Sequence, residues 1–119
     1  LGIVAARLGA AEVDAVDVDP QALSAAAANA AANQAELRCA TPDSLPGGQY
    51  DLVLANILAN PLIVLAPLLS ACCRHGGRLA LSGILAGQAE EVAAAYAPAF
   101  DMRVAGEDEG WVLMEGVRR

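Results

Sequence analysis

Apolar and polar positions along the chain alternate between a helical and a strand period. Leu1, Val4 and Leu8 share one helical face, and Gly9 follows as a C-terminal stop. Val13 to Val18 reads as a short strand. Asp19-Pro20 then opens a helix, with Asp19 as N-cap and Pro20 in the first helical position. An Ala-rich body, Ala being the best helix former, carries that helix to about Asn33. Glu36 to Ala40 predicts another short strand, and Thr41 to Gln49 a loop rich in Pro, Gly and Asp. Tyr50 to Ala55 predicts a strand whose unbroken apolar run, Leu52-Val53-Leu54, suits burial on both faces. A helix is expected from about Asn60, its cap before Pro61, to Arg74. It would end at Gly76-Gly77, with Arg74 and His75 where positive charge meets the helix dipole favourably. Arg78 to Ser82 is a further strand, and Gln88 to Tyr96 an amphipathic helix closed by Pro98. Phe100 to Ala105 and Trp111 to Val117 are two last strands, joined by the acidic turn 106–110 as an antiparallel hairpin.

This order predicts an α/β fold: a doubly wound, mostly parallel sheet with helices on both faces and a C-terminal antiparallel hairpin. The 119 residues suffice for one domain, 1–119, with a real core and no internal repeat. The chain opens at Leu1 directly in helical pattern, with no cap and no preceding strand, as a fragment cut inside a domain would.

Composition narrows the picture. The chain is 56% hydrophobic but only 3% aromatic, so its core must come from Ala, Leu, Val and Ile. A formal charge of -7 argues against a nucleic-acid groove, where phosphates require an excess of Lys and Arg. Cys39, Cys72 and Cys73 are odd in number and lack a C-x-x-C spacing. That implies neither a disulfide framework nor a metal site, and suits small buried hydrophobes in a reducing cytosol. No signal peptide is visible. The longest apolar stretch, Ile57 to Cys73, is too short and too broken by Asn60, Pro61 and Pro67 to span a bilayer.

Candidate chemistry gathers at strand ends, because open α/β sheets bind ligands at the carboxyl ends of their strands. Asn56 ends the Leu52-Val53-Leu54 strand, and its side-chain oxygen could accept from an amine. Its alternative is a helix cap, a task for which Asn60 is better placed. Asp17, in Val16-Asp17-Val18-Asp19-Pro20, stands at the end of the earlier strand. A carboxylate there accepts two hydrogen bonds from the vicinal hydroxyls of a ribose. Asp19 is read as the cap, although both residues could simply cap. Asp17 and Asn56 are expected around a common crevice. Asp43, in the loop after the second strand, could bond the exocyclic amine of an adenine. The single His, His75, is read as a helix-end residue. One His permits no Ser/His/Asp or Cys/His set and no metal cluster, which leaves reactions that need mainly orientation, such as in-line transfer of an activated group.

These residues resemble the bacterial ribosomal-protein methyltransferase family called PrmA. The resemblance lies in Asp51-Leu52-Val53-Leu54-Ala55-Asn56-Ile57-Leu58-Ala59-Asn60-Pro61-Leu62, in Leu65-Ala66-Pro67, and in Leu81-Ser82-Gly83-Ile84-Leu85 with Gln88. Val16 to Leu23 with Asn29-Ala30 and Asn33, and the closing Glu109-Gly110-Trp111, also match. The resemblance implies a class I methyltransferase that uses S-adenosylmethionine to methylate lysine side chains and the N-terminal amine of a large-subunit ribosomal protein. It implies a cytoplasmic enzyme, with no direct nucleic-acid or membrane partner. Asp17 would hold the cofactor ribose, and Asn56 would sit beside the methionine end and the incoming amine. By the same resemblance a glycine-rich loop and first strand would precede Leu1-Gly2-Ile3, as would a substrate-gripping domain. The fragment alone is then expected to bind cofactor poorly and to be inactive. The alternatives are a nicotinamide-dependent oxidoreductase, which uses an acid in the same place, and a non-catalytic nucleotide-binding fragment.

Overall fold

Asp19 caps the helix that follows it. Its Oδ1 accepts the Gln21 N–H at 2.9 Å, and Pro20 stands just inside the helix. The structure, a computed structural model, describes residues 1–41 and 49–119. The chain divides into two compact units, Leu1–Gly47 and Gly48–Arg119.

The first unit runs α1 (Gly2–Arg7), β1 (Asp14–Val16), α2 (Pro20–Ala32) and β2 (Arg38–Ala40). β1 and β2 pair in parallel, with Asp14 opposite Arg38. That cross-strand pair is also a two-point ion pair, Arg38 Nε to Asp14 Oδ1 at 2.5 Å and Nη2 to Oδ2 at 3.0 Å. Gly2 lets α1 close on the sheet region, since a Cβ there would stand 3.3 Å from Leu37 and 3.4 Å from Val13. Asn33 ends α2, its N–H shared between the Asn29 and Ala30 carbonyls.

The second unit runs β3 (Tyr50–Asn56), α3 (Ala59–Val64), α4 (Ala66–Cys72), β4 (Cys73–Leu85), a 3-10 turn (Ala86–Gln88), α5 (Ala89–Tyr96), β5 (Phe100–Asp108) and β6 (Trp111–Arg118). The strand order is β3-β4-β6-β5, with β3–β4 parallel and the remaining pairs antiparallel. The expected terminal hairpin is present. Its turn is tighter than expected, because Asp108 already pairs with Trp111. Only Glu109 and Gly110 lie between the strands, at φ 51° and 84°, the two positive values that a tight twisted hairpin requires.

The core belongs to this unit: Leu79, Leu81 and Ile84 of β4, Val112 and Met114 of β6, Leu62 and Ala66 of the crossover helices, and Val92, Tyr96 and Phe100. Tyr96 meets Phe100 edge-on at 6.2 Å and donates its hydroxyl to the Leu62 carbonyl at 2.7 Å. Burial raises that phenol to about 12. The inward positions of β4 change phase, from Leu79 and Leu81 to Ile84. A bulge explains the change. Leu81 faces Met114 and Ile84 faces Val112, so Ser82 and Gly83 together oppose a single residue.

The expected helix from Asn60 to Arg74 is corrected in three places. It begins after Leu58, so Asn60 lies inside α3 and is not its cap. It breaks at Leu65, because the Pro67 ring would collide with the carbonyl four residues back in a continuous helix. It ends at Cys72, because Cys73 pairs with Tyr50 and joins the sheet. Arg74 and His75 are therefore strand residues. Arg74 Nε meets Asp51 Oδ1 at 2.5 Å, and His75 Nδ1 lies 2.6 Å from the Arg119 carbonyl oxygen. Cys73 is buried, whereas Cys72 and Cys39 are half-buried. Burial pushes both the Cys72 and Cys73 thiols up, with Arg118 and Arg74 pulling Cys73 partly back. Among the described residues no helix is long and apolar enough to cross a membrane.

Candidate functional site

β3 delivers Asn56 as its last residue, level with Ser82 of the parallel neighbour β4. Asn56 is not a helix cap, since α3 is preceded by Leu58. Its amide is exposed and has no hydrogen-bond partner among the described residues, which leaves it open to solvent or a ligand. A shallow depression of about 450 Å³ opens there, lined by Asn56, Ile57, Leu58, Ser82, Gly83 and Trp111.

Gly83 forms the floor of this depression. Its φ is +86°, and a Cβ there would lie 2.5 Å from the Ile57 carbonyl oxygen and 3.1 Å from Asn56 Oδ1. Only glycine meets both demands at once. The β4 bulge and the β3 terminus are thus fitted to one another through a residue without a side chain. A second depression of about 240 Å³ shares Leu58, Gly83 and Trp111 with the first, and adds Ala59, Asn60, Pro61, Leu85 and Gln88.

In the first unit, Asp17 follows β1 directly, its N–H bonded to the Ala40 carbonyl at 3.2 Å. Its Oδ1 accepts the Asp19 N–H at 3.0 Å. This is an Asx turn ahead of the helix, whose cap is Asp19. Its exposed position leaves Oδ2 open to a ligand hydroxyl. Asp43 lies outside the described residues. Among the described residues no group of three or more His, Cys, Asp and Glu gathers as a metal site would.

Sequence reasoning singled out Asn56 but gave Asn60, Gly83, Gln88 and Trp111 no part in a site. Asn60 was spent on capping, and the positive φ of Gly83 had no local signal beyond a Ser-Gly pair at a strand end. Trp111 reaches both depressions only through the β4–β6 ladder, which sets it opposite Leu85, while Gln88 lines the smaller one through its local bond to the Leu85 N–H.

The sequence model of the family described as Ribosomal protein L11 methyltransferase (PrmA) matches residues 1–119. The chain belongs to the PrmA family. It is 53% identical over 119 residues to the ribosomal protein L11 methyltransferase of Thiobacillus denitrificans, covering 100% of this chain and 40% of that protein. The Bordetella parapertussis protein of the same name is 52% identical over 118 residues, covering 99% of this chain and 38% of its own length. The chain thus spans about 40% of these PrmA relatives. Among solved structures, the ribosomal protein L11 methylase of Lactobacillus delbrueckii subsp. bulgaricus superposes with a TM-score of 0.86 at 29% identity, over 99% of this chain and 64% of that one. The α/β fold with its terminal antiparallel strands is that of the PrmA family.

Proposed function

We propose that residues 1–119 form the catalytic domain of an S-adenosylmethionine-dependent protein N-methyltransferase. Its substrates are lysine side chains and the N-terminal amine of a large-subunit ribosomal protein in the cytoplasm, with no direct nucleic-acid or membrane partner. The family match across residues 1–119 carries this reading. The exposed Asn56 amide at the end of β3, with no hydrogen-bond partner among the described residues, supports it.

S-adenosylmethionine would supply a methyl group on a sulfonium, open to in-line attack by an amine lone pair. Asp17 would accept from the ribose hydroxyls through the oxygen that Asp19 leaves free. Asp43 would bond the exocyclic amine of the adenine. Asn56 would accept an N–H from the incoming amine and so aim its lone pair. The apolar walls at Leu58 and Trp111 strip water from that amine, and desolvation favours its neutral, nucleophilic form. No strong base is required, because that desolvation would send the ammonium's proton to solvent as the amine is seated.

The test is calorimetric titration of S-adenosylmethionine into the intact gene product that carries this chain, with a nicotinamide dinucleotide as control. Asp17→Ala and Asn56→Ala should each weaken binding at least tenfold. Incubation with ribosomal protein L11 should add methyl groups visible by mass spectrometry. Binding of the dinucleotide without the sulfonium would instead return the reading to an oxidoreductase.

A further inference from the structure

The smaller depression beside Asn56 holds a polar group that the proposed chemistry leaves unused. Gln88 ends the 3-10 turn after β4, and its Oε1 accepts the Leu85 N–H at 3.0 Å. This bond fixes which way the amide faces. Gln88 lines the depression, and among the described residues its Nε2 group has no recorded acceptor.

The remaining lining is apolar or neutral: Leu58, Pro61, Leu85 and Trp111 supply walls, and Asn60 a second amide. No charged side chain lines it, so a carboxylate or an ammonium would find no counter-ion there. The volume, about 240 Å³, falls below the roughly 300–1,000 Å³ usual for a whole small-molecule ligand. A short stretch of polypeptide fits better, with its aliphatic part against the walls and its carbonyl oxygen toward an oriented N–H donor.

Resting on the methyltransferase reading above, we propose that Gln88 is a substrate-positioning residue. Its Nε2 donates to a backbone carbonyl of the protein substrate beside the amine to be methylated, while Leu58, Pro61, Leu85 and Trp111 hold the adjoining aliphatic stem. The bond from the Leu85 N–H keeps the donor aimed before the substrate arrives, which lowers the ordering cost of binding.

Two variants of the intact gene product separate this role from a structural one. Gln88→Glu keeps an oxygen for the Leu85 N–H but removes the donor. Gln88→Leu removes both. KM for ribosomal protein L11 should rise at least tenfold in each variant. KM for S-adenosylmethionine should stay within twofold of wild type, and the melting temperature of Gln88→Glu should remain near wild type. An unchanged protein KM in Gln88→Glu, with a loss only in Gln88→Leu, would make Gln88 a structural cap and overturn the proposal. A rise confined to the KM for S-adenosylmethionine would overturn it as well, by assigning the donor to the cofactor. If the wild-type protein transfers no methyl group, the methyltransferase reading fails and this inference falls with it. If transfer proceeds and Gln88→Glu is silent, only the inference fails.

Discussion

The two units of the chain hold their shape by different means. Among the described residues the first unit buries one apolar side chain, Ala30, whereas the second buries twelve. The first relies on local terms, the Asp19 cap and an Ala-rich helix, with the exposed Asp14–Arg38 ion pair joining a three-residue ladder. The second relies on contacts between residues far apart in sequence, such as Tyr96 with Leu62 and Leu81 with Met114. Burial of a Leu or Phe contributes roughly 1.5–3 kcal/mol, against about 1 kcal/mol for a cap. The second unit should therefore carry most of the cooperativity and respond most strongly to truncation.

The largest effect is expected from Leu81→Ala, which leaves a cavity in the middle of β4. Denaturant unfolding should show a loss of roughly 2–5 kcal/mol. If the midpoint moved no more than for an Ala30 substitution, the contrast between the units would collapse. Gly83→Ala comes next. It places a Cβ against the Ile57 carbonyl and imposes a left-handed backbone on a residue with a side chain, at about 1–3 kcal/mol. Because Asn56 Oδ1 also stands only 3.1 Å from that Cβ, ligand affinity should fall by more than the stability loss explains. Titration calorimetry on folded protein reads that directly.

Tyr96→Phe should cost about 1 kcal/mol at neutral pH through the lost bond to Leu62. It should also change the alkaline limb. The folded phenol titrates at about 12 rather than the ordinary 10, so the unfolded chain releases its proton first. The Tyr96 contribution is then full below pH 10 and is lost between about pH 10 and 12, roughly 2–3 kcal/mol in all. Tyr96→Phe should flatten that decline in a pH series of melting curves. The smallest effect belongs to the first unit. Asp19→Ala should cost about 1 kcal/mol, appear as faster amide exchange along α2, and leave the core of the second unit unmoved.

These contrasts also explain what could be read without coordinates. The Asp19 cap, Pro20 and the Asn33 end of α2 were legible because each depends on residues within one turn. Asn56 was legible because an apolar strand ran straight into it. The break at Leu65 carried a local sign in Pro67, which was read only as an obstacle to membrane spanning. The start of β4 at Cys73 had no local sign, since it depends on Tyr50 and on an ion pair from Arg74 to Asp51. The same holds for the wall of the smaller depression. Trp111 and Gln88 stand 23 residues apart in sequence, and only the β4–β6 ladder, closed by the Ala86 N–H on the Gly110 carbonyl at 2.8 Å, brings the two together there.

The two-residue turn at Glu109-Gly110 bears on the order of events during folding. A hairpin with so short a loop closes within about 1–10 μs, whereas parallel pairing of β3 with β4 must wait for the intervening helices and the longer loop they close. The β5–β6 hairpin should thus form early, and the junction of Asn56 with Gly83 late. Substitutions at Glu109-Gly110 should slow refolding in stopped-flow experiments, while those at Gly83 should mainly speed unfolding. On that schedule the ligand-facing end of the sheet is the last part of the molecule to take shape, and the first to be lost when it opens.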